Sequence, residues 1–337
     1  MKRHFSRLSI LIVLLTLLPL RTLAAQQLVP VGQVIGLQLY NDTVTVAAYD
    51  DVLGGAAKAA GLKIGDRIEK INDMSIASAE DVRSALDSGE GILNLTVSRG
   101  GKQRVLTLTP TQTKDGPRMG VFLRQGIAGI GTVTWYDPAT GAFGALGHGV
   151  CDSGGLLKMT RGSAYDASVL EVKKGKSGDP GQLKGTARSI EPMAPLLRNT
   201  AQGVFGVNPK GWRGEALPVA EYSQIHTGKA TIRAQTCDRV QEYSVEILKI
   251  YPQTRMDCRN FLLKVTDPAL IRATGGIVQG MSGSPIIQDG QLIGAVTHVL
   301  VNSPDTGYGI YIQNMLDAAG EEKRGTERIL VDEVAEF

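Results

Sequence analysis

A glycine-rich turn late in the sequence places two serines where acyl-transfer chemistry is feasible. The stretch reads GMSGSP and spans residues 280–285. Glycines at 280 and 283 permit positive φ angles, so the backbone can bend sharply around Ser282 and aim the N–H groups of Gly280 and Ser282 at one point. Two preorganised N–H donors beside a hydroxyl can hold the oxyanion of acyl transfer. The alternative is a tight polar turn in which the serine caps backbone groups.

A serine nucleophile needs a base, and the sequence has four histidines. His148 stands between glycines in GALGHGV, far upstream of Ser282, which suits a base on the other half of a double barrel. His4 lies in the predicted signal region, and His226 lies in a polar stretch and is expected at the surface. His298 follows on the apolar strand after the serine turn. It is either a partly buried wall residue or part of the substrate pocket.

The acid that would orient the imidazole cannot be chosen from the residues alone. Asp267 ends an apolar strand before a proline, but an Asp-Pro pair also opens turns and helices, where the aspartate acts as an N-cap. Asp152 is near His148 in sequence, and its position does not exclude it. Both assignments stay open at this point.

The elements that must position these residues are predicted to be mainly β. The chain of 337 residues contains 41 glycines, and its apolar runs are short and separated by Gly, Pro and Asp turns. A convincing late helix is expected only over about 313–319. We therefore assign residues 118–320 to one β-rich domain and residues 321–337 to a charged, peripheral tail.

Residues 31–112 predict a small α+β module. Two strands in VIGLQLYNDTVTVAAYD are followed by AAKAAGLKIGDRIEKIND, by a helix with a capping-box start at Ser78 and Asp81, and by a hairpin at Gly100-Gly101. This order resembles a PDZ domain, in which a loop receives a peptide's terminal carboxylate and the peptide adds as a strand. The resemblance assigns that loop to Gly36, Leu37, Gln38 and Leu39. The alternative is a module that serves only as a spacer.

Residues 1–25 predict export. Lys2, Arg3 and Arg7 precede an apolar run over 8–20, and small residues follow at 24 and 25, which is the pattern of a signal peptide. The run is short for a membrane-spanning helix, although an uncleaved signal anchor stays open. Both interpretations carry the rest of the chain across a membrane.

Composition argues against two function classes. The net charge is +3 and no basic run is present, so we expect no nucleic-acid partner. Cys151, Cys237 and Cys258 form neither a CxxC pair nor a metal-ligand set, so we expect no metal and no cofactor. A disulfide between Cys237 and Cys258 and buried free thiols are both compatible with an exported chain.

Over nearly its whole length the sequence resembles the stage IV sporulation protein B peptidase family of spore-forming Firmicutes. The segments GALGHG and GGIVQGMSGSPIIQDGQLIGAVTHV carry the resemblance. It implies a small PDZ-like α+β domain followed by a chymotrypsin-like double β-barrel serine peptidase. By resemblance Ser282 is the nucleophile, His148 the base and Asp267 the acid, and the N–H groups of Gly280 and Ser282 form the oxyanion hole.

The resemblance also implies a regulatory role in sporulation. Members are exported into the space between the forespore membranes, cut a membrane-bound regulator to trigger a late sigma factor, and process themselves. We therefore expect a protein or peptide substrate, a peptide ligand for the PDZ-like module, and membrane attachment through the N-terminal segment. One rival is a non-catalytic exported adaptor. A second, a β-rich envelope structural protein, leaves the GMSGSP turn without a purpose.

Overall fold

A computed structural model of the chain describes residues 26–89, 91–152, 155–255 and 257–320. The predicted export segment (1–25) and charged tail (321–337) lie outside these residues. Within the described ranges, no helix combines the length and the apolar character needed to cross a membrane.

The described chain is built mainly from strands. In the first half the strands are β1 (Gln27–Pro30), β2 (Val34–Tyr49), β3 (Arg67–Ile71), β4 (Met74–Ser75), β5 (Leu93–Arg99), β6 (Lys102–Leu108), β7 (Thr111–Thr113), β8 (Gly116–Arg118), β9 (Val121–Tyr136), β10 (Ala142–Ala145), β11 (Cys151–Asp152) and β12 (Gly155–Leu156). The second half contains β13 (Arg161–Lys173), β14 (Gln182–Ala187), β15 (Ala194–Thr200), β16 (Gly203–Val207), β17 (Leu217–Pro218), β18 (Gly228–Gln235), β19 (Val240–Ile250), β20 (Phe261–Val265), β21 (Pro285–Gln288), β22 (Gln291–Leu300) and β23 (Ser303–Tyr311). The helices are α1 (Gly55–Ala59), α2 (Ala79–Ser88), α3 (Pro268–Thr274) and α4 (Ile312–Gly320), with a 3-10 turn over Tyr222–Gln224.

Six antiparallel pairings build a first barrel. The path runs β9-β10-β16-β15-β13-β2, and the pairing of β2 with β9 returns it to its start. Apolar residues alternate along these strands, so one face of each strand points inward. The buried interior includes Val29, Val31, Ile35, Leu37, Leu39, Val133, Phe143, Ala145, Ala164, Leu196 and Val204.

A second closed barrel follows in the chain. Its order is β18-β19-β20-β23-β22-β21, and β21 pairs back with β18. Its core includes Ile232, Val245, Phe261, Leu263, Ile286, Ala295 and Val296, and helix α4 packs Ile312 and Met315 against the same core. The mainly β fold with a chymotrypsin-like double barrel is confirmed.

The PDZ-like unit is an insertion in the first barrel and does not precede it. Strands β2 and β9 form one long ribbon in which Val34 lies opposite Thr132 at the barrel end and Tyr49 lies opposite Val121 at the far end. The far end carries β3 to β6 and helix α2 around a separate core. The predicted boundaries of 31–112 and 118–320 therefore need correction, because residues 27–39 belong to the peptidase barrel.

Helix α2 begins as its sequence predicts. The Ser78 hydroxyl accepts from the Asp81 N–H at 3.1 Å, and the Asp81 carboxylate accepts from the Ser78 N–H at 2.8 Å. This reciprocal capping box satisfies donors that the first helical turn leaves open. Val82, Ala85 and Leu86 are buried against the unit's core.

Candidate active site

A cavity of ≈ 320 Å³ lies between the two barrels, and both parts of the predicted chemistry line it. His148 follows β10 of the first barrel, and Ser282 precedes β21 of the second. The remaining lining residues include Leu37, Leu39, Ile127, Gly129, Ile130, Leu146, Gly149, Val150, Cys151, Gln279 and Gly280. The fold therefore brings residues that are far apart in sequence to one largely apolar cleft.

The turn around Ser282 is held by the first barrel. The Thr132 N–H donates to the Ser282 carbonyl at 3.0 Å, and the Thr132 hydroxyl donates to the Gly280 carbonyl at 2.8 Å. Gly280 and Gly283 both have φ of 98°, a region that strongly favours glycine. A Cβ at Gly283 would also overlap the Thr132 carbonyl oxygen. The predicted sharp bend is therefore present, and only glycine fits it at 283.

Two backbone donors flank the serine without partners. Across the described residues, the N–H groups of Gly280 and Ser282 donate to no protein acceptor, whereas those of Met281, Gly283 and Ser284 donate to backbone carbonyls. Free N–H groups beside a hydroxyl can accept the developing charge of a tetrahedral oxyanion. This placement supports the predicted oxyanion hole.

The Ser282 hydroxyl donates to the Thr297 carbonyl at 2.9 Å. Within the described part of the chain, no hydrogen bond joins it to His148. Catalytic hydrogen bonds are often long or unmade until substrate binds, so this geometry fits a resting enzyme. Ser284, the second serine of the turn, has 0% of its surface exposed. Its hydroxyl cannot reach a substrate.

His148 is oriented by a backbone carbonyl. Its Nδ1 lies 3.0 Å from the Gly149 oxygen. A carbonyl can only accept, so Nδ1 carries the proton and Nε2 keeps the lone pair that a base needs. Burial lowers the pKa of His148 below 6.5, and the Gly149 hydrogen bond opposes this in part. The imidazole is therefore neutral near pH 7.

His298 packs against His148, with 5.4 Å between the ring centroids. Burial is the largest cause that lowers the pKa of His298 to about 4, and the nearby His148 and Arg259 side chains lower it further. Its Nδ1 is buried and has no hydrogen-bond partner among the described residues. His298 is thus a neutral wall beside the base, in line with the first of its two predicted roles.

Asp267 has a structural role that the sequence left open for it. Its carboxylate accepts from the N–H groups of Ala269 at 2.8 Å and Leu270 at 3.3 Å, and so caps helix α3. It also accepts from the Ser244 N–H at 3.3 Å. Among the described residues no hydrogen bond links Asp267 to His148. The predicted orienting contact is not formed here, and the carboxylate bonds to local backbone donors instead.

The predicted carboxylate-binding loop needs correction. Residues Gly36 to Leu39 lie inside β2, which is paired with β9 on one side and with β13 on the other. In an antiparallel strand alternate residues bond to alternate neighbours, so these N–H groups are used by the barrel. The segment instead lines the catalytic cleft through Leu37 and Leu39.

The remaining candidates fall outside the cleft chemistry. His226 is at the surface, as expected, where its Nε2 lies 2.8 Å from Asp289. Cys237 and Cys258 are free thiols, exposed and buried respectively, so the disulfide that the sequence allowed is not formed. Cys151 is also free and lines the cleft.

Sequence reasoning missed the groups that hold the reacting residues. Thr132 gave no local signal, because its hydrogen bonds reach Gly280 and Ser282, which lie at least 148 positions later in the chain. The Gly149 and Thr297 carbonyls are backbone groups, and residue type does not reveal them. His298 could have been suspected as a neighbour of His148 only from its position on the strand after the serine turn.

Comparisons with known proteins give partial matches to curated relatives. A protein of Agrobacterium fabrum with the provisional name of a zinc metalloprotease is 32% identical over 114 residues, which are 31% of this chain and 29% of that protein. A protein of Drosophila willistoni named as the mitochondrial serine protease HTRA2 is 37% identical over 65 residues, covering 19% of this chain and 15% of that protein. The chain spans less than a third of the length of these relatives.

Among solved structures, the active form of the Rv3671c protease from M. tuberculosis overlaps 58% of this chain and 75% of its own at 14% identity and a TM-score of 0.35. The fold assignment rests on the strand pairings and not on this overlap.

Two family models match along the chain. A PDZ domain model matches residues 52–99, within the inserted unit. The model described as SpoIVB peptidase S55 matches residues 115–316, which is more than half of the chain. That match spans both His148 and Ser282. The chain has two barrels, and the serine turn and His148 line one cleft between them. Together with the family match, this shows that the chain belongs to the SpoIVB peptidase S55 family and is a serine peptidase.

Proposed function

We propose that this serine peptidase is an exported regulatory endopeptidase in which Ser282 is the nucleophile and His148 is the base. One observation carries the assignment. Ser282 and His148 reach the same cleft from different barrels, and the free N–H groups of Gly280 and Ser282 lie beside the serine. A nucleophile, a base and oxyanion donors are the parts that acyl transfer needs.

In the proposed reaction the Ser282 hydroxyl leaves the Thr297 carbonyl and turns to Nε2 of His148. It attacks the peptide carbonyl while His148 takes its proton, and the two N–H groups hold the oxyanion. His148 then protonates the leaving amine, and water hydrolyses the acyl-enzyme with His148 again as the base. In this reaction the Gly149 carbonyl keeps the imidazole in the required tautomer.

An open strand edge supports an extended substrate. The backbone N–H of Val133 donates to the Gln33 carbonyl and so points toward β2, whereas the backbone N–H of Thr132 points toward the serine turn. Because backbone N–H groups alternate in direction along an antiparallel strand, those of Ile130 and Ala128 also point away from β2. No strand in the described ranges pairs with that edge. A substrate segment can therefore add to β9 beside Ser282, as peptides add to other sheet edges.

A second, larger cavity continues from this edge. It measures ≈ 780 Å³, shares Leu37, Gly129 and Ile130 with the catalytic cleft, and is walled on its far side by strand β14 and by Ile190. Leu183 and Ile130 are apolar residues of its lining. We propose that it receives apolar side chains of the extended substrate.

The biological role is part of the same proposal. Family resemblance supports a peptidase that acts between the forespore membranes, cuts a membrane-bound regulator to activate a late sigma factor, and processes its own N-terminal region. Attachment through the N-terminal segment would bring the cleft to membrane-bound substrates. Protein or peptide substrates suit a strand edge, because such an edge forms hydrogen bonds mainly with the backbone of the segment that adds to it.

Cleavage in trans tests the proposal. The Ser282→Ala chain serves as substrate for catalytic amounts of the parent chain, and N-terminal sequencing reports new ends. We expect truncation near the N-terminus that needs active parent and does not occur with Ser282→Ala alone. In sporulating cells, a membrane protein should gain a new N-terminus only when Ser282 is intact.

The rival adaptor makes the opposite prediction. A folded parent that never cleaves the Ser282→Ala chain, and cells with the same N-termini in both strains, would favour the adaptor. Cleavage of many soluble proteins would instead contradict the regulatory role and leave the peptidase assignment intact.

A further inference from the structure

A hairpin of the first barrel reaches across to the second barrel. Strand β13 pairs with β2 and β15 within its first half, over 161–166, and its second half pairs with β14. We call this second half, strand β14 and the loop between them, residues 167–187, the β13–β14 arm. Its apolar residues Ala167, Val169 and Leu183 are buried in the core cluster of the second barrel. The arm therefore continues a strand of the first barrel but packs against the second.

Backbone hydrogen bonds fix the loop of the arm to the second barrel. The Gly175 N–H donates to the Thr274 carbonyl at 2.7 Å, and the Gly178 N–H donates to the Val301 carbonyl at 3.0 Å. The approach is close, since a Cβ at Gly275 would overlap the Gly175 carbonyl oxygen. The loop is thus bonded to one residue before the serine turn and to one residue after it.

The arm also bonds to the residue just before the first oxyanion donor. The Leu183 N–H donates to the Gln279 carbonyl at 2.8 Å, and the Gln279 N–H donates to the Gly181 carbonyl at 3.3 Å. The Leu183 side chain lies against the same turn, because a Cβ at Gly280 would be only 3.1 Å from the Leu183 Cβ. Both backbone polar groups of Gln279 are therefore bonded to the arm.

The Gln279 carbonyl and the Gly280 N–H belong to one peptide group. A trans peptide group is planar, so its C=O and N–H bonds point in opposite directions and can only turn together. The bond from the Leu183 N–H fixes the direction of the carbonyl, and it thereby fixes the direction of the Gly280 N–H. That N–H points away from the arm and donates to no acceptor among the described residues. Rotation of this peptide group would turn the donor out of the oxyanion hole.

We propose that the β13–β14 arm positions the oxyanion hole, with the Leu183 N–H as the group that aims the Gly280 donor. Leu183 acts through Gln279 and is a positioning residue of the reaction. The inference rests on the proposed function, because it assigns a role in the same acyl transfer. Residues 182–185 of the arm also line the larger cavity. A substrate segment in that cavity therefore contacts the element that orients the oxyanion donor.

Substitutions of Leu183 test the proposal in residues 26–337. Leu183→Pro removes the N–H that bonds to Gln279, and the matched control Leu183→Val keeps this N–H with a side chain of similar size. We expect Leu183→Val to react with a fluorophosphonate probe about as fast as the parent. Leu183→Pro should react about 10²–10³-fold more slowly, which is the loss that follows removal of one oxyanion donor. The acid limb of the labelling rate should keep its midpoint in both variants, because His148 is unchanged.

Equal labelling rates for the folded proline and valine variants would overturn the proposal, and so would a shifted acid limb. A folded parent that takes up no probe would contradict the proposed function, and this inference would fall with it.

A second measurement needs no variant. In the labelled parent the phosphonyl oxygen occupies the oxyanion hole, and coupling between two sites is reciprocal. Hydrogen–deuterium exchange over residues 181–184 should therefore be slower in the labelled than in the unlabelled parent, whereas the turn at Gly100-Gly101 should exchange at the same rate in both. Unchanged exchange over 181–184 would overturn the proposal even if Leu183→Pro fails to fold.

Discussion

At the scale of single residues, backbone carbonyls hold the two reacting side chains. The Gly149 carbonyl accepts from His148 and sets its tautomer, and the Thr297 carbonyl accepts from Ser282. A carbonyl partner stabilises the imidazolium less than a carboxylate would, since it carries no net charge. The base therefore depends on burial and packing for its pKa and its orientation.

The pH dependence of activity follows from the buried base. Burial lowers the pKa of His148 below 6.5, and a base acts only when it is neutral. Activity is thus retained above the lowered pKa and lost as the pH falls through it. We expect the acid limb of kcat/KM for a peptide substrate to have its midpoint below pH 6.5, and His226→Asn, which changes a surface histidine, to leave the profile unchanged. A midpoint at or above pH 6.5 would contradict the buried, neutral base.

Substitutions at Asp267 distinguish a helix-capping role of this residue from a catalytic one. Asparagine can keep the hydrogen bonds to Ala269 and Leu270, whereas alanine cannot. We expect Asp267→Asn to keep most of the activity and Asp267→Ala to lower the free energy of unfolding by about 1 kcal/mol. Kinetics and thermal unfolding measure the two effects. A fall in kcat of about 10⁴ for Asp267→Asn, with the fold intact, would restore it as the acid of a triad.

The sequence predicts side chains better than it predicts their partners. Ser282 and His148 could be singled out because their types and glycine neighbours carry the signal. Asp267 shows the limit, because Asp-Pro is equally a helix start, and the capping bonds are what the structure contains. Which polar group faces an imidazole is settled by long-range packing that one sequence does not display.

At the scale of elements, the serine turn and strand β9 form one unit. Thr132 of β9 bonds to both carbonyls that bracket the bend, at 280 and 282. The same strand contributes Ile127 and Ile130 to the cleft and Leu123 to the PDZ-like core. A shift of β9 would therefore reach the oxyanion donors directly.

Glycine substitutions test this close approach. Gly283→Ala would force a Cβ into the Thr132 carbonyl at a positive φ, so we expect it to lower the free energy of unfolding by more than ~3 kcal/mol and to abolish activity. Gly290 also has a positive φ, but its Cβ would meet nothing within 4 Å. Gly290→Ala should cost only about 1 kcal/mol. Equal losses in thermal unfolding experiments would show that the contact with Thr132 is unimportant.

At the scale of the whole molecule, the small unit is carried at the tip of the β2–β9 ribbon. Sequence reasoning identified its helix, its strands and its order before the serine turn, because those signals are local. It misplaced Gly36 to Leu39, because a strand has the same alternation of apolar and polar residues whether it borders a PDZ groove or closes a barrel. Only the pairing with β9 and β13 distinguishes the two.

Truncation tests the corrected architecture. A fragment of residues 118–337 keeps the predicted peptidase domain but lacks Val29, Val31, Ile35, Leu37 and Leu39, all buried in the first barrel. Burial of five such side chains contributes roughly 8–15 kcal/mol, which is comparable to the whole stability of a typical domain. We expect circular dichroism to show no cooperative thermal transition for this fragment and a clear one for residues 26–320. Cooperative folding of the shorter fragment would contradict the inserted arrangement.

The most direct test of the central claim is covalent labelling of residues 26–337 by a fluorophosphonate probe, with the modified residue located by mass spectrometry. The account predicts one adduct, on Ser282, which disappears in Ser282→Ala and His148→Ala and persists in Ser284→Ala, because the Ser284 hydroxyl is buried. A folded parent that takes up no probe, or an adduct that survives Ser282→Ala, would contradict the claim that Ser282 and His148 form the reactive pair.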